Sequence, residues 1–138
     1  MAATKARRVI TYPNGRSPIL GSVQKAGTII YKNSLAMHVA GVWQPADSAV
    51  ASSVVGGFAE ETYDASAQGS DYTWPTPMVF KREAVPMSGK SGDLPTAADL
   101  GKLIPVEDDD TVKHTAAGND VTVRLLEING TNFIVDLA

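Results

Sequence analysis

The chain has 138 residues, 43% of them hydrophobic and 20% charged, a length and composition that predict one globular domain with a real core. It contains no cysteine, which excludes a disulfide framework, a thiol nucleophile and a cysteine-based zinc site. The net charge is −3, divided between +4 on residues 1–16 and −7 on the rest. Because the part that folds is acidic, the composition argues against a nucleic-acid partner.

Residues 1–20 are predicted to form an extended arm. Pro13 and Pro18 exclude a regular helix, and strand character is confined to Val9, Ile10, Thr11 and Tyr12. We expect this arm to order against another surface by adding its short strand to an exposed sheet edge. The alternative is that the arm folds back on its own body or on a neighbouring copy. The basic residues that would then face acidic patches are Lys5, Arg7, Arg8 and Arg16.

From residue 21 the pattern changes to short β-branched and aromatic runs separated by turns. Residues 22–42 predict a strand, a turn and a second strand, and residues 54–60 predict another strand. Trp43–Gln44–Pro45 interrupts this pattern, and Asp47 either caps one helical turn or begins a loop that leads into the next strand. Residues 64–77 combine small residues, proline and glycine, which predicts a long surface loop or a hairpin tip.

The following segment predicts further strands and one helix. Residues 78–87 predict a strand, and residues 88–93 a flexible turn. Thr96 and Asp99 have the spacing of a capping box, and Gly101 is a stop signal, so a helix of one or two turns is expected over about 96–102. The acidic run Glu107–Asp110 predicts an exposed hairpin tip between two short strands.

The chain closes with two β-branched runs separated by Asn129–Gly130, the strongest short-range signal for a hairpin. A two-residue turn at this position pairs Ile128 with Thr131 and Leu126 with Phe133. With this pairing the apolar residues of the two strands do not all lie on the same face of the hairpin, which requires a β-bulge near Leu125–Leu126. The residues expected in the core are Val123, Leu126, Phe133 and Val135.

These elements predict a mainly β fold (β-rich α+β). We expect a compact body of short strands with one short helix over residues 21–138, and the extended N-terminal arm over residues 1–20. No apolar run of about 18 residues is present, and the N-terminus lacks the apolar segment of a signal peptide. The sequence therefore predicts no membrane partner and synthesis in a cytoplasm.

Residue patterns that would carry chemistry are incomplete. Met87–Ser91 has the end of a phosphate-binding loop, but Ala84 stands where that motif needs its first glycine. The run Glu107–Asp110 lacks the alternating oxygens and the glycine of a calcium loop. The two histidines, His38 and His114, have no G-x-S-x-G serine to activate. We therefore expect no enzyme activity, no cofactor and no metal.

Three aromatic residues lie beside prolines or in predicted loops: Trp43, Tyr72 and Trp74. Such side chains anchor protein interfaces, because tryptophan and tyrosine contribute much of the binding energy there. They also stack on sugar rings, or simply pack the loops that carry them. The sequence leaves these alternatives open.

Several segments occur in an order that carries a family resemblance: residues 26–30, 54–61, 78–81, 95–102 and 106–112, and the closing hairpin over 121–137. With a short helix, a strand, an acidic turn and a second strand in succession, this order resembles the lambda-type capsid decoration proteins of tailed bacteriophages, also called head cement proteins. The resemblance implies a compact β-barrel or β-tulip-like body. The arm is longer than in the smallest members of that family.

The resemblance also implies a structural function. Such a protein binds the outer surface of an expanded phage capsid, contacts the major capsid protein and cements neighbouring capsomers, commonly as a homotrimer. Its location would be the outer surface of the virion, after synthesis in the cytoplasm of the host bacterium. The alternative is a glycan-binding module on a virion or cell surface that uses the three aromatic residues.

Overall fold

Two small β-barrels, one from each half of the chain, make up the fold. The computed structural model describes residues 17–118 and 120–137. The predicted mainly β fold is confirmed, since this part of the chain contains twelve strands and a single 3-10 helix. The predicted arm contacts of Lys5, Arg7, Arg8, Val9, Ile10, Thr11, Tyr12 and Arg16 lie outside the described residues.

Seven strands lie in the first half: β1 (Ile19–Gln24), β2 (Ile29–Ile30), β3 (Leu35–Val39), β4 (Val42–Pro45), β5 (Val54–Ala59), β6 (Tyr63–Asp64) and β7 (Tyr72–Lys81). Five of them close into barrel 1 in the order β1–β4–β3–β5–β7. In this barrel β1 and β4 are parallel, and every other neighbouring pair is antiparallel. The remaining two, β2 and β6, form a separate antiparallel pair.

Five strands lie in the second half: β8 (Val85–Gly89), β9 (Leu103–Asp108), β10 (Thr111–Val112), β11 (Thr122–Asn129) and β12 (Asn132–Asp136). They close into barrel 2 in the order β10–β8–β12–β11–β9. The 3-10 helix, Ala97–Asp99, lies between β8 and β9. It is shorter than the predicted helix over 96–102, because the backbone leaves the helical conformation at Leu100, where ψ is 131°.

Trp43 fills the interior of barrel 1. Its side chain is 4% exposed and stacks on Phe80 with ring centroids 4.1 Å apart. Two glycines, one on β1 and one on β5, make room for the indole: a Cβ would lie 2.4 Å from the ring at Gly21 and 1.9 Å from it at Gly56. The prediction that Trp43 lies in a loop and serves an interface is therefore wrong. Trp43–Gln44–Pro45 belongs to β4, which pairs with strands on both sides.

The outer face of barrel 1 packs against the interior of barrel 2. Leu35, Met37 and Phe58 are fully buried and alternate with residues that face the interior of barrel 1, so they point outward from it. They join one apolar cluster with the core of barrel 2, which includes Val106 and Phe133. This contact unites the two barrels in a common core.

The acidic tip between β9 and β10 is part of the same contact. The Leu35 amide donates to the carbonyl of Asp109 (2.8 Å), and the Ser48 amide donates to the carbonyl of Glu107 (3.1 Å). Burial, together with the neighbouring Asp108 and Asp110 carboxylates, raises the pKa of Asp109. The predicted hairpin is confirmed, and Asp108 and Asp110 are exposed as expected, whereas Asp109 is half-buried because its backbone docks against barrel 1.

Residues 72–77 belong to β7, although they were predicted as loop or hairpin tip. In the pairing of β1 with β7, Gly21 pairs with Met78 and Val23 pairs with Thr73. Residues 74–77 of β7 therefore bulge opposite a single residue of β1. Proline is tolerated at such a bulge because no ladder hydrogen bond is required from it.

Two predicted boundaries also change in the structure. The strand predicted over 78–87 is divided, because β7 ends at Lys81 and β8 begins at Val85, where the chain passes between barrels. Of the two alternatives at Asp47, the loop is correct. Its carboxylate accepts the amide of Ala49 (2.9 Å), and the chain then leads into β5.

The C-terminal hairpin is confirmed with its register shifted. Asn129 pairs with Asn132, so the two-residue turn is Gly130–Thr131, one residue later than predicted. The predicted bulge lies at Leu126, between the pairs of Leu125 and of Glu127. It turns Leu126 outward, 47% exposed, so its prediction as a core residue is wrong. Leu125 occupies the core instead, with the correctly predicted Val123, Phe133 and Val135.

Gly56→Ala should destabilise the protein by about 1–3 kcal/mol, because the added methyl group overpacks the Trp43 pocket. Urea unfolding measures the free energy. Gly69→Ala is the matched control, since a Cβ at Gly69 meets no atom within 4 Å. Combining Gly56→Ala with Trp43→Phe should recover part of the loss caused by Gly56→Ala alone. Equal costs for the two alanine variants would contradict the account of barrel 1.

Phe133→Ala should cost about 3–5 kcal/mol of unfolding free energy, since its ring lies in the shared core. Leu126→Ala on the facing strand should cost less than about 1 kcal/mol, because its side chain is half-exposed. Thermal and urea unfolding compare the two. A reversed order would mean that the bulge lies elsewhere in the hairpin.

Candidate functional site

A rigid aromatic cluster lies at one side of barrel 1. Gln24 is fully buried, and its amide nitrogen donates to the carbonyls of Tyr63 (2.9 Å) and Thr28 (3.1 Å). Its amide oxygen accepts the indole N–H of Trp74 (3.0 Å). Trp74 also makes edge-to-face contacts with Tyr72 and Tyr63, at centroid distances of 4.9 and 5.9 Å. The partly buried indole is therefore held in one orientation.

Trp74 borders an open groove of about 490 Å³, which we call the aromatic groove. The lining residues are Glu60, Glu61, Thr62, Tyr63, Trp74, Pro75, Thr76, Pro77 and Val79. Burial, and secondarily the two nearby carboxylates, raises the pKa of Tyr63, whose oxygen accepts the amide of Val79 (2.9 Å). The groove combines an oriented aromatic ring with hydrogen-bonding carboxylates, a combination that suits a ligand with apolar faces and hydroxyl groups.

The structure thus brings together two of the three predicted aromatic residues, Tyr72 and Trp74, and separates Trp43 from them. Sequence reasoning missed Gln24 and Tyr63, which orient and support Trp74. The available signal was weak: Gln24 is a polar residue in a strand, and nothing local indicates that it contacts a ring fifty residues away.

A second surface lies on barrel 2 and consists of Leu100, Leu103 and Leu126, which we call the leucine patch. Their side chains are 45%, 48% and 47% exposed. Leu103 pairs with Arg124, and Leu125 exchanges backbone hydrogen bonds with Gly101 and Lys102 (2.8 and 3.0 Å). These contacts place the three leucines near one end of the β9–β11 pair. Sequence reasoning missed Leu100 and Leu103.

The loop that carries Leu100 is anchored by Asp99, which is buried. Its carboxylate accepts the Thr96 amide (2.8 Å) and contacts Nδ1 of His114 (2.9 Å). The Thr96 hydrogen bond is the main cause that lowers the pKa of Asp99; burial opposes it, and His114 adds to it. The capping residues predicted from the sequence therefore position one member of the leucine patch.

A buried cation also lies in barrel 2. Nζ of Lys113 lies 2.9 Å from carboxylate oxygens of both Glu107 and Asp120, and Lys90 approaches Glu107 at 3.3 Å. Burial favours a lower pKa for Lys113, but the contacts with Asp120 and Glu107 outweigh it and raise the pKa. The first residue of the acidic run is thus part of an internal ion-pair network.

The histidines have local partners. Nδ1 of His38 accepts the amide of Gly41 (3.2 Å), and its ring contacts Trp43, whereas His114 contacts Asp99. Across residues 17–118 and 120–137, no group of three or more histidine and acidic side chains has the arrangement of a metal site. In the same ranges, the length and apolarity needed to cross a membrane occur in no helix.

Comparison with known proteins gives no match to a family model, a curated protein or a solved structure. The interpretation of the two surfaces therefore depends on their chemistry.

Asp99→Asn should lower the free energy of unfolding by about 1–2 kcal/mol near neutral pH, because a charged acceptor of the Thr96 amide is lost. The pKa of Asp99 is lower in the folded protein than its unfolded value of about 3.9. Its contribution is therefore present above that pH and disappears as the pH falls through the folded pKa. The difference between wild type and variant, measured by urea unfolding, should shrink between about pH 5 and about pH 2. A constant difference would contradict the assignment.

Proposed function

We propose that the chain is a structural virion protein. It binds the outer surface of a bacteriophage capsid, contacts the major capsid protein as a homotrimer, and cements neighbouring capsomers so that the expanded head is stabilised. The observation that carries this proposal is that large apolar side chains are exposed on both barrels. A homotrimer needs such contact surfaces between its copies, and the arm is then the segment that contacts the capsid.

On barrel 2 the exposed surface is the leucine patch. On barrel 1 the exposed apolar side chains include Leu20 and Val54, at 58% and 55%. Single exposed leucines are ordinary in soluble proteins, but three near one end of a strand pair are typical of a protein contact. The common core and the closed strand order keep these surfaces fixed relative to one another.

The basic arm is proposed to contact the capsid. Residues 1–16 carry +4 and include the strand-forming residues Val9 to Tyr12, so they suit strand addition to an acidic sheet edge. Attraction of this kind weakens as salt rises, because dissolved ions screen the exposed charges.

The test is sedimentation of purified protein with expanded capsids that lack it, followed by thermal disassembly of the capsids. The full chain should cosediment and raise the disassembly temperature. Deletion of residues 2–18 should weaken capsid binding while leaving the unfolding temperature of the body nearly unchanged. Undiminished binding by the deletion variant would contradict the role of the arm, and no binding by the full chain would contradict the proposed function.

The aromatic groove favours a second candidate function, a glycan-binding module that uses Tyr72 and Trp74. Its support is the fixed orientation of Trp74 beside Glu60 and Glu61. Retention on polysaccharide columns would favour this function if Trp74→Ala abolished it and Tyr31→Ala, an exposed aromatic outside the groove, did not. Absence of retention on such columns would count against it.

A further inference from the structure

The two barrels have the same strand connectivity. We number the five strands of each barrel by their order in the chain. In both barrels the first strand is parallel to the third, and the third is antiparallel to the second. The second then pairs with the fourth, the fourth with the fifth, and the fifth with the first, all antiparallel. The chain is therefore a tandem repeat of one barrel, with β1, β3, β4, β5 and β7 corresponding to β8, β9, β10, β11 and β12.

The register of the strands identifies equivalent residues. In barrel 1, Leu35 pairs with Phe58, which pairs with Lys81. In barrel 2, Leu103 pairs with Arg124, which pairs with Asp136. Leu35 and Leu103 are thus the same position of the repeat, and each is the first residue of its strand. Leu35 is fully buried, whereas Leu103 is about half-exposed.

The structure shows what covers this position in barrel 1. The covering surface is one end of barrel 2, formed by the start of β8 and by the two-residue tip Asp109–Asp110. The tip contacts Leu35 through the carbonyl of Asp109 (2.8 Å), and the amide of Ser88 in β8 donates to the carbonyl of Asp110 (2.8 Å). Val85, at the start of β8, lies in the same apolar cluster as Leu35.

The equivalent end of barrel 1 is not covered in the described structure. It is formed by the start of β1 and by the two-residue tip Ala40–Gly41. We call Leu20, Ala40, Gly41 and Val54 together the tip end. All four residues are exposed, and none is charged. Val54 pairs with His38 near the tip, and Leu20 belongs to β1, which runs parallel to β4.

We propose that the leucine patch of one copy binds the tip end of a second copy, in the way that the outer face of barrel 1 receives the end of barrel 2 within one chain. Within residues 17–118 and 120–137, seven large hydrophobic side chains are exposed, and five of them belong to these two surfaces. Such a contact joins different surfaces head to tail, and it closes into a ring when the rotation between copies allows it.

The contact within one chain supports a second copy as the occupant, because the barrel end that covers Leu35 is the equivalent of the tip end. This contact is the one that the homotrimer of the proposed function requires. The closure into a ring of three copies rests on that proposed function.

The absence of cysteine from the sequence permits a specific crosslinking test. Ala40→Cys places a thiol on the tip end, and Lys102→Cys places one on the rim of the leucine patch; both positions are exposed. The two proteins are mixed and mildly oxidised, free at high concentration and on expanded capsids. The mixed disulfide should exceed both homodisulfides. Ala67→Cys, on an exposed loop of barrel 1, replaces Ala40→Cys as the matched control and should give no excess.

Leu103→Ser with Leu126→Ser, added to both proteins, should reduce the mixed disulfide at least about tenfold, because the apolar area of the contact is lost. Tyr31→Ser, an equally exposed position outside both surfaces, should leave it unchanged. The proposal is overturned if no mixed disulfide forms in either condition, or if the Lys102→Cys homodisulfide dominates. A further outcome also overturns it: the parent pair gives no mixed disulfide, and the serine variants abolish capsid binding. The leucine patch would then bind the capsid. If the protein binds capsids but no mixed disulfide forms, the proposed function still holds and the proposed contact between copies is wrong.

Discussion

The contact between the outer face of barrel 1 and the core of barrel 2 is the constraint on which the rest of the structure depends. Leu35, Met37 and Phe58 face away from their own barrel and complete the apolar cluster of the other one. The acidic tip between β9 and β10 is held in place by the same contact, through backbone hydrogen bonds that do not depend on its charges. Since both barrels share this core, the aromatic groove and the leucine patch are fixed on one body.

The features that the sequence predicts correctly are those decided by neighbouring residues. Thr96 and Asp99 form the cap because they lie three residues apart, and the mismatch of apolar faces reveals the bulge near Leu126. The failures involve distant partners. Trp43 occupies a barrel interior because Gly21 and Gly56 leave it space, and no local pattern shows that these glycines face it.

The candidate surfaces also combine features decided by neighbouring residues with features decided by distant partners. Tyr72 and Trp74 could be predicted as candidate interface residues, because they lie in a polar segment that contains prolines. Their rigidity was not, since it comes from Gln24 on another strand. The leucine patch was hidden for a different reason: in a β-rich sequence an exposed leucine and a core leucine have the same local pattern, and only the bulge and the strand register distinguish Leu126 from Leu125.

The separation of the barrels along the chain has a consequence for synthesis. Barrel 1 uses only strands between Ile19 and Lys81, so all its strands, including the closing pair β1 and β7, are synthesised before those of barrel 2. During the several seconds needed to add the remaining residues, at roughly 5–20 per second, Leu35, Met37 and Phe58 have no partner from barrel 2. A closed barrel with an uncovered apolar face is a target for chaperones on the ribosome, and translation speed across the second half sets how long that target persists.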